Sequence, residues 1–295
     1  FVGKALCESL KNTEFTTNLA YRNNKPLLSK NIGSFKVGEI DSETDWSKAL
    51  QKTDCVIHCA GRTHVIKKLK QDTLDLYRKI NVKGTINLAE QAAACGVKRF
   101  IFLSSIKVNG ERTVGSSYFQ HDDIPKPEDA YGLSKLEAEK GLWKISKQTG
   151  LEVVIIRAPL VYGPAVKGNL RRLIKLIQSR IPLPFSLIKN QRSLIGIDNL
   201  VDLTIHCIDH HKASGNTFLV SDGKDLSTPD LVRGIASSIE LSARLFPLPL
   251  IILKFFGFIL GKKLEIDRLI GSLRIDSRYT KETLNWTPPL SVEEG

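Results

Sequence analysis

Three side chains of this sequence could share one acid–base site: Ser105, Tyr131 and Lys135. Ser105 ends the apolar run that contains Phe102, and Tyr131 and Lys135 lie four residues apart in the segment Tyr-Gly-Leu-Ser-Lys. On a helix, that spacing puts the phenol and the ammonium on the same face. A phenol has a pKa of about 10 and is a poor base at neutral pH, but a nearby cation favours the phenolate and lowers that pKa. The pattern predicts that Tyr131 exchanges a proton with a substrate hydroxyl while Ser105 hydrogen-bonds the same oxygen.

Short apolar runs that alternate with amphipathic stretches are expected to position these groups. Strands are predicted at 15–21, 55–59, 98–104 and 151–158, and helices at 2–10, 45–51, 72–94 and 130–148. Asp45 is the predicted N-cap of the second helix, and Gly96 and Gly150 are the expected ends of the two long helices. Strands alternating with helices predict an α/β fold with a doubly wound parallel sheet.

The second half of the chain has a looser pattern. Prolines at 182, 184, 247, 249, 288 and 289 break it into short pieces. We therefore predict a sheet domain over 1–158. The range 159–295 is predicted to form mainly a smaller substrate-binding lobe, with segments that return to the first domain. Because ligands of such sheets bind at the carboxyl ends of the strands, the cleft between lobe and sheet is the expected site.

Composition limits the classes of partner that the chain is expected to bind. The formal net charge is +12, from 43 Lys+Arg and 31 Asp+Glu residues. The basic residues are dispersed and no nucleic-acid-binding signature is present, so we expect no nucleic-acid partner. An anionic diphosphate substrate or an anionic membrane face would fit this charge. The five cysteines are scattered without a C-x-x-C pair, which predicts reduced thiols in a cytoplasmic protein and no metal site.

Residues 245–260 are unusually apolar for a soluble chain. The stretch is too short for a usual membrane span and contains Lys254. We favour a buried helix of the smaller lobe. The alternative is a helix at a membrane surface, with Lys262 and Lys263 touching anionic lipid. A peripheral membrane contact through 245–263 therefore stays open, as does a homodimer.

The chain resembles the extended short-chain dehydrogenase/reductase family, and within it the NAD-dependent epimerases and dehydratases of nucleotide sugars. The resemblance is carried by the serine and Tyr-x-x-x-Lys segments above and by the segments 1–3, 54–61, 81–85, 157–164, 192–198 and 284–288. It implies a Rossmann-like fold with a C-terminal substrate lobe. Phe1-Val2-Gly3 is similar to the end of the family's phosphate loop, so we expect the sequence to be a fragment that lacks the first strand and binds dinucleotide weakly.

The resemblance also implies a nicotinamide cofactor. The positions that match the family's cofactor-binding segments are Gly3, Glu39, Ile40, Cys59, Ala60, Gly61, Asn81, Tyr131, Lys135 and Pro159. At the end of the second predicted strand, NAD-preferring sites usually carry an acidic residue that binds the ribose. This chain has Arg22 in that region, and a guanidinium suits either a 2′-phosphate or stacking on adenine. NAD and NADP therefore both stay open.

By the same resemblance, the substrate is a UDP-sugar bound between lobe and sheet. Asn169 and Leu170 match the segment that contacts the uridine diphosphate, and Arg192 and Arg268 match the family's diphosphate-binding arginines, with Ser105 at the sugar. The implied reaction is hydride transfer at C4 of a UDP-hexose or UDP-N-acetylhexosamine. An NAD(P)H-dependent 4-keto-6-deoxy-sugar reductase, an epimerase of a lipid-linked sugar and a non-catalytic binding protein are the alternatives.

Overall fold

The computed structural model describes residues 1–23, 32–63 and 71–295, and the side chains of 71 and 72 are left aside. The strands are β1 Asn18–Tyr21, β2 Gly33–Lys36, β3 Cys55–His58, β4 Arg99–Ser105, β5 Glu152–Ala158, β6 Leu160–Tyr162, β7 Leu194–Gly196 and β8 Asn216–Leu219. The helices are α1 Val2–Leu10, α2 Ser47–Leu50, α3 Gln71–Tyr77, α4 Thr85–Ala94, α5 Ala130–Thr149, α6 Gly168–Gln178, α7 Ile197–His206, α8 Thr228–Ser238, α9 Leu250–Ile259, α10 Lys263–Ile270 and α11 Arg278–Leu284.

The expected α/β fold with parallel strands is confirmed. Strands β3, β4, β5 and β8 form one parallel sheet in the order β3-β4-β5-β8. Strands β1 and β2 form a separate parallel pair, and β6 pairs in parallel with β7. The register of β4 on β5 brings Ser105 beside Ala158, so both strands end together at the edge where the predicted catalytic serine lies.

Both faces of the four-stranded sheet are covered by helices. Phe100 and Phe102 of β4 pack with α4 and α5 on one face, whereas Ile101 packs with α7 on the other. Successive residues of a strand point to opposite faces, so a strand buried on both sides has to be apolar at nearly every position. This requirement explains why the sequence of β4 shows an unbroken apolar run.

Helix α5, which carries Tyr131 and Lys135, has well-defined ends. Asp129 is its N-cap, and the carboxylate accepts the backbone N–H of Gly132 at 2.7 Å. Gly150 ends the helix in the left-handed conformation, with a φ of 79°, which glycine adopts without steric cost. The helix therefore spans Ala130–Thr149, one residue beyond the predicted end.

Two predictions about the other helices need correction. The continuous helix expected over 72–94 consists of α3, a π-helical segment at Arg78–Gly84, and α4. The short second helix starts after Trp46 rather than Asp45, although the Asp45 carboxylate still accepts the backbone N–H of Ser47 at 2.9 Å. In both cases the amphipathic pattern identified a helical region but not its local hydrogen-bonding geometry.

Helices of the second half pack around their own apolar cluster. It joins Ile177 of α6, Val232 of α8 and Leu253 of α9 to Leu183 and Phe185 of the connecting segment. The expectation that 245–260 forms a buried helix is wrong for most of its length, because within α9 only Leu253 and Gly257 are buried. In the described ranges, no helix has the length and apolar character needed to cross a membrane.

Candidate active site

The carboxyl end of β4 and the first turns of α5 bring Ser105, Tyr131 and Lys135 together. Ser105 closes β4 and caps a 3₁₀ turn, its hydroxyl accepting the backbone N–H of Lys107 at 3.3 Å. The Ser105 hydroxyl also faces the Tyr131 phenol and lowers the phenol's pKa. The Lys135 ammonium donates to the carbonyl of Leu103 at 2.8 Å. The helix thus positions both predicted acid–base groups over the end of the strand.

Close approach of the 3₁₀ turn to α5 depends on Gly132. A Cβ at this position would lie 2.6 Å from the carbonyl oxygen of Lys107, a distance that side-chain carbons do not adopt. Glycine therefore lets the backbone after Ser105 pack directly against the first turn of the helix that carries Tyr131. Any other residue at 132 would separate the serine from the phenol.

The pKa of Tyr131 differs from the expectation. Burial of the phenol raises its pKa to about 12, and the nearby Asp129 and Tyr77 add to this rise. We expected Lys135 to lower this pKa, but its ammonium is directed to the Leu103 carbonyl and lies 4.1 Å from the centre of the Phe102 ring. Burial also lowers the pKa of Lys135 to about 8, partly offset by Glu139. In this structure burial is the largest influence on the pKa of both groups, since desolvation disfavours the charged form.

Asn81 connects the loop after β3 with the catalytic helix. Its Oδ1 accepts the backbone N–H of Arg62 at 2.7 Å, and its Nδ2 donates to the hydroxyl of Ser134 at 2.9 Å. That hydroxyl in turn donates to the backbone carbonyl of Tyr131 at 2.8 Å. Asn81 lies in the middle of the π-helical segment, a geometry that occurs frequently at functional sites. The loop, the π-segment and α5 are therefore held in one hydrogen-bonded unit.

Small residues line the side of the site where a dinucleotide would bind. A Cβ on Gly61 would lie 3.3 Å from Oδ1 of Asn81 and 3.7 Å from Nζ of Lys135, whereas one on Gly3 would lie 3.9 Å from Cys59. Ala60 follows Cys59 at the end of β3. The space that these small residues leave fits a nicotinamide dinucleotide.

The remaining predicted cofactor residues lie at the ends of β1, β2 and β5. Arg22, after β1, forms an exposed ion pair with Glu39, with 3.6 Å between Nη1 and Oε2. Ile40 contacts the position of Gly84, where a Cβ would lie 2.6 Å from its Cγ2. Pro159 is buried directly after β5. The Arg22–Glu39 pair bears on cofactor choice, because a carboxylate that holds Arg22 competes with a 2′-phosphate for it.

On the other side of the site, a group of charged side chains joins α10 to the start of α5. Nη2 of Arg268 lies 3.3 Å from the Glu111 carboxylate and 3.5 Å from that of Asp129. The ammonium of Lys107 contacts the same two carboxylates, at 2.6 Å and 2.5 Å. Burial alone would raise the pKa of Asp129, but Lys107 holds it below its usual value. These four residues form the cleft cluster, named here for its place between the lobe and α5.

Arg192 lies behind this cluster. Its guanidinium donates to the backbone carbonyls of Arg268, at 2.8 Å, and of Gly271, at 3.1 Å. Burial, together with the positive charge of Arg268, lowers its pKa, and Glu111 opposes this. The two arginines predicted to bind a diphosphate are therefore brought together. Asn169 is exposed in the first turn of α6, whereas the side chain of Leu170 is buried in the lobe.

The sequence interpretation missed the buried ion pair beneath α5. Arg157 donates to both carboxylate oxygens of Glu139, at 3.1 Å and 2.6 Å, and the hydroxyl of Ser104 donates to Oε1 of Glu139 at 2.5 Å. A fourth bond runs from Arg157 to Oδ1 of Asn109 at 3.0 Å. The available signal was Glu139 four residues after Lys135, on the same face of the helix. The cleft cluster gave no comparable signal, because its members come from distant segments.

Comparison with known proteins identifies the family to which the chain belongs. Residues 1–221 match the NAD dependent epimerase/dehydratase family. The UDP-glucose 4-epimerase of Vibrio cholerae is 47% identical over 298 aligned residues, which cover 100% of this chain and 90% of the relative. An N-acetyl-alpha-D-glucosaminyl-diphospho-ditrans,octacis-undecaprenol 4-epimerase of Escherichia coli O157:H7 is 26% identical, covering 81% of this chain and 70% of that protein.

Solved structures agree on the fold. The crystal structure of the UDP-glucuronic acid 4-epimerase from Bacillus cereus, in complex with UDP-glucuronic acid and NAD, superposes with a TM-score of 0.80. The sequence identity is 23%, and the match covers 100% of this chain and 93% of that one. At this identity the likeness establishes the shared fold.

Proposed function

Because the chain belongs to the NAD dependent epimerase/dehydratase family, we propose that it is a nucleotide-sugar epimerase acting at C4 of a UDP-hexose or UDP-N-acetylhexosamine. The observation that carries the proposal is the meeting of Ser105, Tyr131 and Lys135 beside a floor of small residues that fits a dinucleotide. The Vibrio cholerae relative, a UDP-glucose 4-epimerase over the whole length of this chain, supports the same reaction.

Each catalytic side chain has a defined role in this proposal. Tyr131 accepts the proton of the C4 hydroxyl and later returns it, and Ser105 hydrogen-bonds the same oxygen as it becomes a carbonyl. A bound oxidised nicotinamide supplies a hydride acceptor and a positive charge. Such a charge favours the phenolate, and thereby opposes the burial that raises the pKa of Tyr131 to about 12. Lys135 anchors α5 through the Leu103 carbonyl.

The cleft cluster and Arg192 are the proposed site of the substrate diphosphate. Arginine presents paired N–H donors that suit phosphate oxygens. Arg268 points into the cleft, is about one-third exposed and is held by carboxylates rather than by backbone, so its guanidinium can exchange partners. We assign Asn169, which is exposed in the first turn of α6, to the nucleotide side of the same ligand.

Within the cofactor pair that the sequence left open, we propose NAD. Support comes from the ion pair of Arg22 with Glu39, since the carboxylate occupies the guanidinium and would repel a 2′-phosphate. An NAD epimerase regenerates its cofactor in every turnover, whereas a 4-ketoreductase consumes reduced cofactor. The two reactions therefore differ in whether NADH absorbance changes in proportion to product.

The proposed reaction is tested by Tyr131→Phe. We expect the rate of UDP-glucose to UDP-galactose interconversion to fall by about 10²–10⁴-fold, the usual contribution of general acid–base catalysis. UDP-sugar binding, measured by calorimetry, should stay unchanged because only the hydroxyl is removed. The matched control is Tyr118→Phe, since the Tyr118 hydroxyl contacts Arg274 outside the site. A Tyr131→Phe rate within about threefold of wild type would disprove the catalytic role.

A second candidate is epimerisation of a sugar carried on a lipid diphosphate, the substrate named for the Escherichia coli relative. The observation that favours it is the exposed apolar surface of α9, which a UDP-sugar would not need. Comparing UDP-N-acetylglucosamine with the same sugar on a polyprenyl diphosphate separates the two candidates. The cytoplasmic location and the homodimer stay predictions from the sequence.

A further inference from the structure

Helix α9 and its continuation expose an apolar surface to solvent. Nine of the nineteen large hydrophobic side chains that are exposed in the described part of the chain lie between Leu250 and Leu264. Ile251 is 81% exposed, Phe255 59% and Phe258 71%. These three positions follow the i, i+4, i+7 spacing of one helix face. The opposite face packs inward through Leu253 and Gly257. An exposed apolar surface of this extent marks an interaction site.

A groove runs along the same surface between α9 and α10. Its volume is about 310 Å³, and its walls are Ile251, Lys254, Phe255, Phe258, Lys263, Ile266 and Asp267. Gly257 allows the two helices to approach, because a Cβ there would lie 2.6 Å from Cγ1 of Ile266. The apolar stripe, the groove and the flanking Lys254, Lys262 and Lys263 are together called the α9 face. All its members lie in α9, in α10 or in the short connection between them.

The charge of the lobe identifies the chemistry of the partner. The α9 face carries three lysines at its margin, against Glu265 and Asp267 on α10. The range 165–197, which supplies α6 and much of the lobe's apolar cluster, contains seven Lys+Arg and no Asp or Glu. The apolar side chains of α9 would suit the apolar interior of a partner surface. The basic side chains of the lobe would suit anionic groups at the outside of that surface.

We propose that the α9 face docks on the surface of an anionic phospholipid bilayer. In this arrangement α9 lies in the plane of the interface, with Ile251, Phe255 and Phe258 among the acyl chains. Lysines 254, 262 and 263 would meet the lipid phosphates. A ten-residue helix that exposes an apolar face and packs its other face on the protein can lie in the interface but cannot span it.

A second copy of the chain is a poorer occupant of the same surface. A two-fold dimer brings each patch against itself, so the three lysines of one copy would face the three lysines of the other. Like charges placed opposite each other oppose association. An anionic bilayer relieves this repulsion and also covers the apolar side chains. The docking proposal is independent of the reaction, because no residue of the α9 face belongs to the catalytic group.

Co-sedimentation of residues 1–295 with vesicles tests the proposal. We expect binding to vesicles that mix phosphatidylcholine with phosphatidylglycerol, and much weaker binding to phosphatidylcholine alone. The double variant F255S/F258S should bind at least about tenfold more weakly, since two large side chains leave the membrane. The triple variant K254Q/K262Q/K263Q should lose about fivefold per lysine on anionic vesicles only.

Matched controls use equally exposed residues outside the α9 face. The apolar control is V114S/I124S, two side chains that are 79% and 80% exposed. The charge control is K4Q/K98Q/K224Q, whose lysine side chains are 69%, 77% and 60% exposed. Both controls should bind vesicles as the unchanged protein does. Equal loss of binding in the controls and the α9 variants would overturn the proposal.

A positive signal from the helix itself guards against effects of misfolding. In Ile251→Trp, the fluorescence of the introduced indole should shift to shorter wavelength when anionic vesicles are added, because the ring moves from water to acyl chains. Light scattering coupled to gel filtration should show the same oligomeric state for wild type and F255S/F258S. An unshifted indole emission in Ile251→Trp, or a dimer that the double variant converts to monomer without any vesicle binding, would replace the bilayer with a second copy and refute the proposal.

Discussion

Glu139→Gln is the perturbation that separates stability from catalysis most clearly in this protein. Glu139 and Arg157 form a buried ion pair with side chains that are 2% and 7% exposed, and the carboxylate accepts two bonds from the guanidinium. Removing one partner of a buried pair costs about 3–5 kcal/mol, because the other charge stays buried without compensation. For a chain of this size, that loss lowers the midpoint of thermal unfolding by roughly 6–20 °C.

The same substitution should alter the pH dependence of the reaction. Burial lowers the pKa of Lys135 to about 8, and the charge of Glu139 opposes this decrease. Without Glu139 the pKa of Lys135 falls further. If the ammonium form is the one that supports turnover, the alkaline limb of the rate profile then moves to lower pH. The assay is UDP-glucose epimerisation from about pH 6 to 9, alongside a calorimetric melt of each variant.

Two further variants separate the effect of Glu139 on stability from its effect on the pH profile. Glu137→Gln removes a partly exposed carboxylate that pairs with Arg78; it should cost at most about 1 kcal/mol and leave the pH profile unchanged. The double variant Glu139→Leu with Arg157→Met removes both buried charges and should recover most of the stability. The double variant should not restore the alkaline limb of the rate profile to its original pH, because Lys135 still lacks the opposing charge of Glu139. A Glu139→Gln protein with the wild-type melting point and pH profile would refute the reasoning.

Two other predictions follow from single contacts. Glu39→Gln should strengthen NADP by up to about fivefold, because it releases the Arg22 guanidinium. In that background Arg22→Ala should weaken NADP by roughly ten- to a hundredfold, the value of a charge-assisted hydrogen bond, and leave NAD nearly unchanged; equal effects on both cofactors in calorimetry would show that Arg22 only stacks on adenine. Burial, followed by the charge of Lys135, lowers the pKa of His58 to about 3, so the unfolded chain binds an extra proton between about pH 6.5 and 3. The contribution of neutral His58 to the free energy of unfolding is fully present above about pH 6.5 and is lost as the pH falls. Urea unfolding should therefore show a free energy of unfolding about 2 kcal/mol lower at pH 5 than at pH 7, and this difference should disappear in His58→Gln.

Local sequence patterns predicted the elements that position the site because each has a strong physical signature. The run that became β4 is apolar at almost every position, as a strand buried on both faces requires. Gly150 ended α5 as expected, since it takes a positive φ without strain. The triad residues could be identified because Tyr131 and Lys135 share a helix face and Ser105 ends the preceding strand.

Features that depend on packing were not accessible in the same way. The π-helical segment differs from an α-helix by one residue per hydrogen-bonded turn, a difference that apolar periodicity does not resolve. The pKa of Tyr131 moved opposite to the expectation because the phenol is buried, and burial outweighs the lowering effect of the Ser105 hydroxyl. An exposed α9 was the less favoured of the two interpretations of 245–260, since a highly apolar segment normally indicates a buried one.

The cleft cluster connects substrate binding to the catalytic helix through a short chain of contacts. Asp129 caps α5 two residues before Tyr131, and its carboxylate faces both Lys107 and Arg268. An anionic diphosphate that draws the Arg268 guanidinium away leaves Asp129 with Lys107 and the Gly132 N–H as its remaining partners. The negative charge that raises the pKa of Tyr131 is therefore held by groups that a diphosphate can compete for. The cleft cluster, which the sequence pattern did not predict, is therefore the group through which diphosphate binding would influence Tyr131.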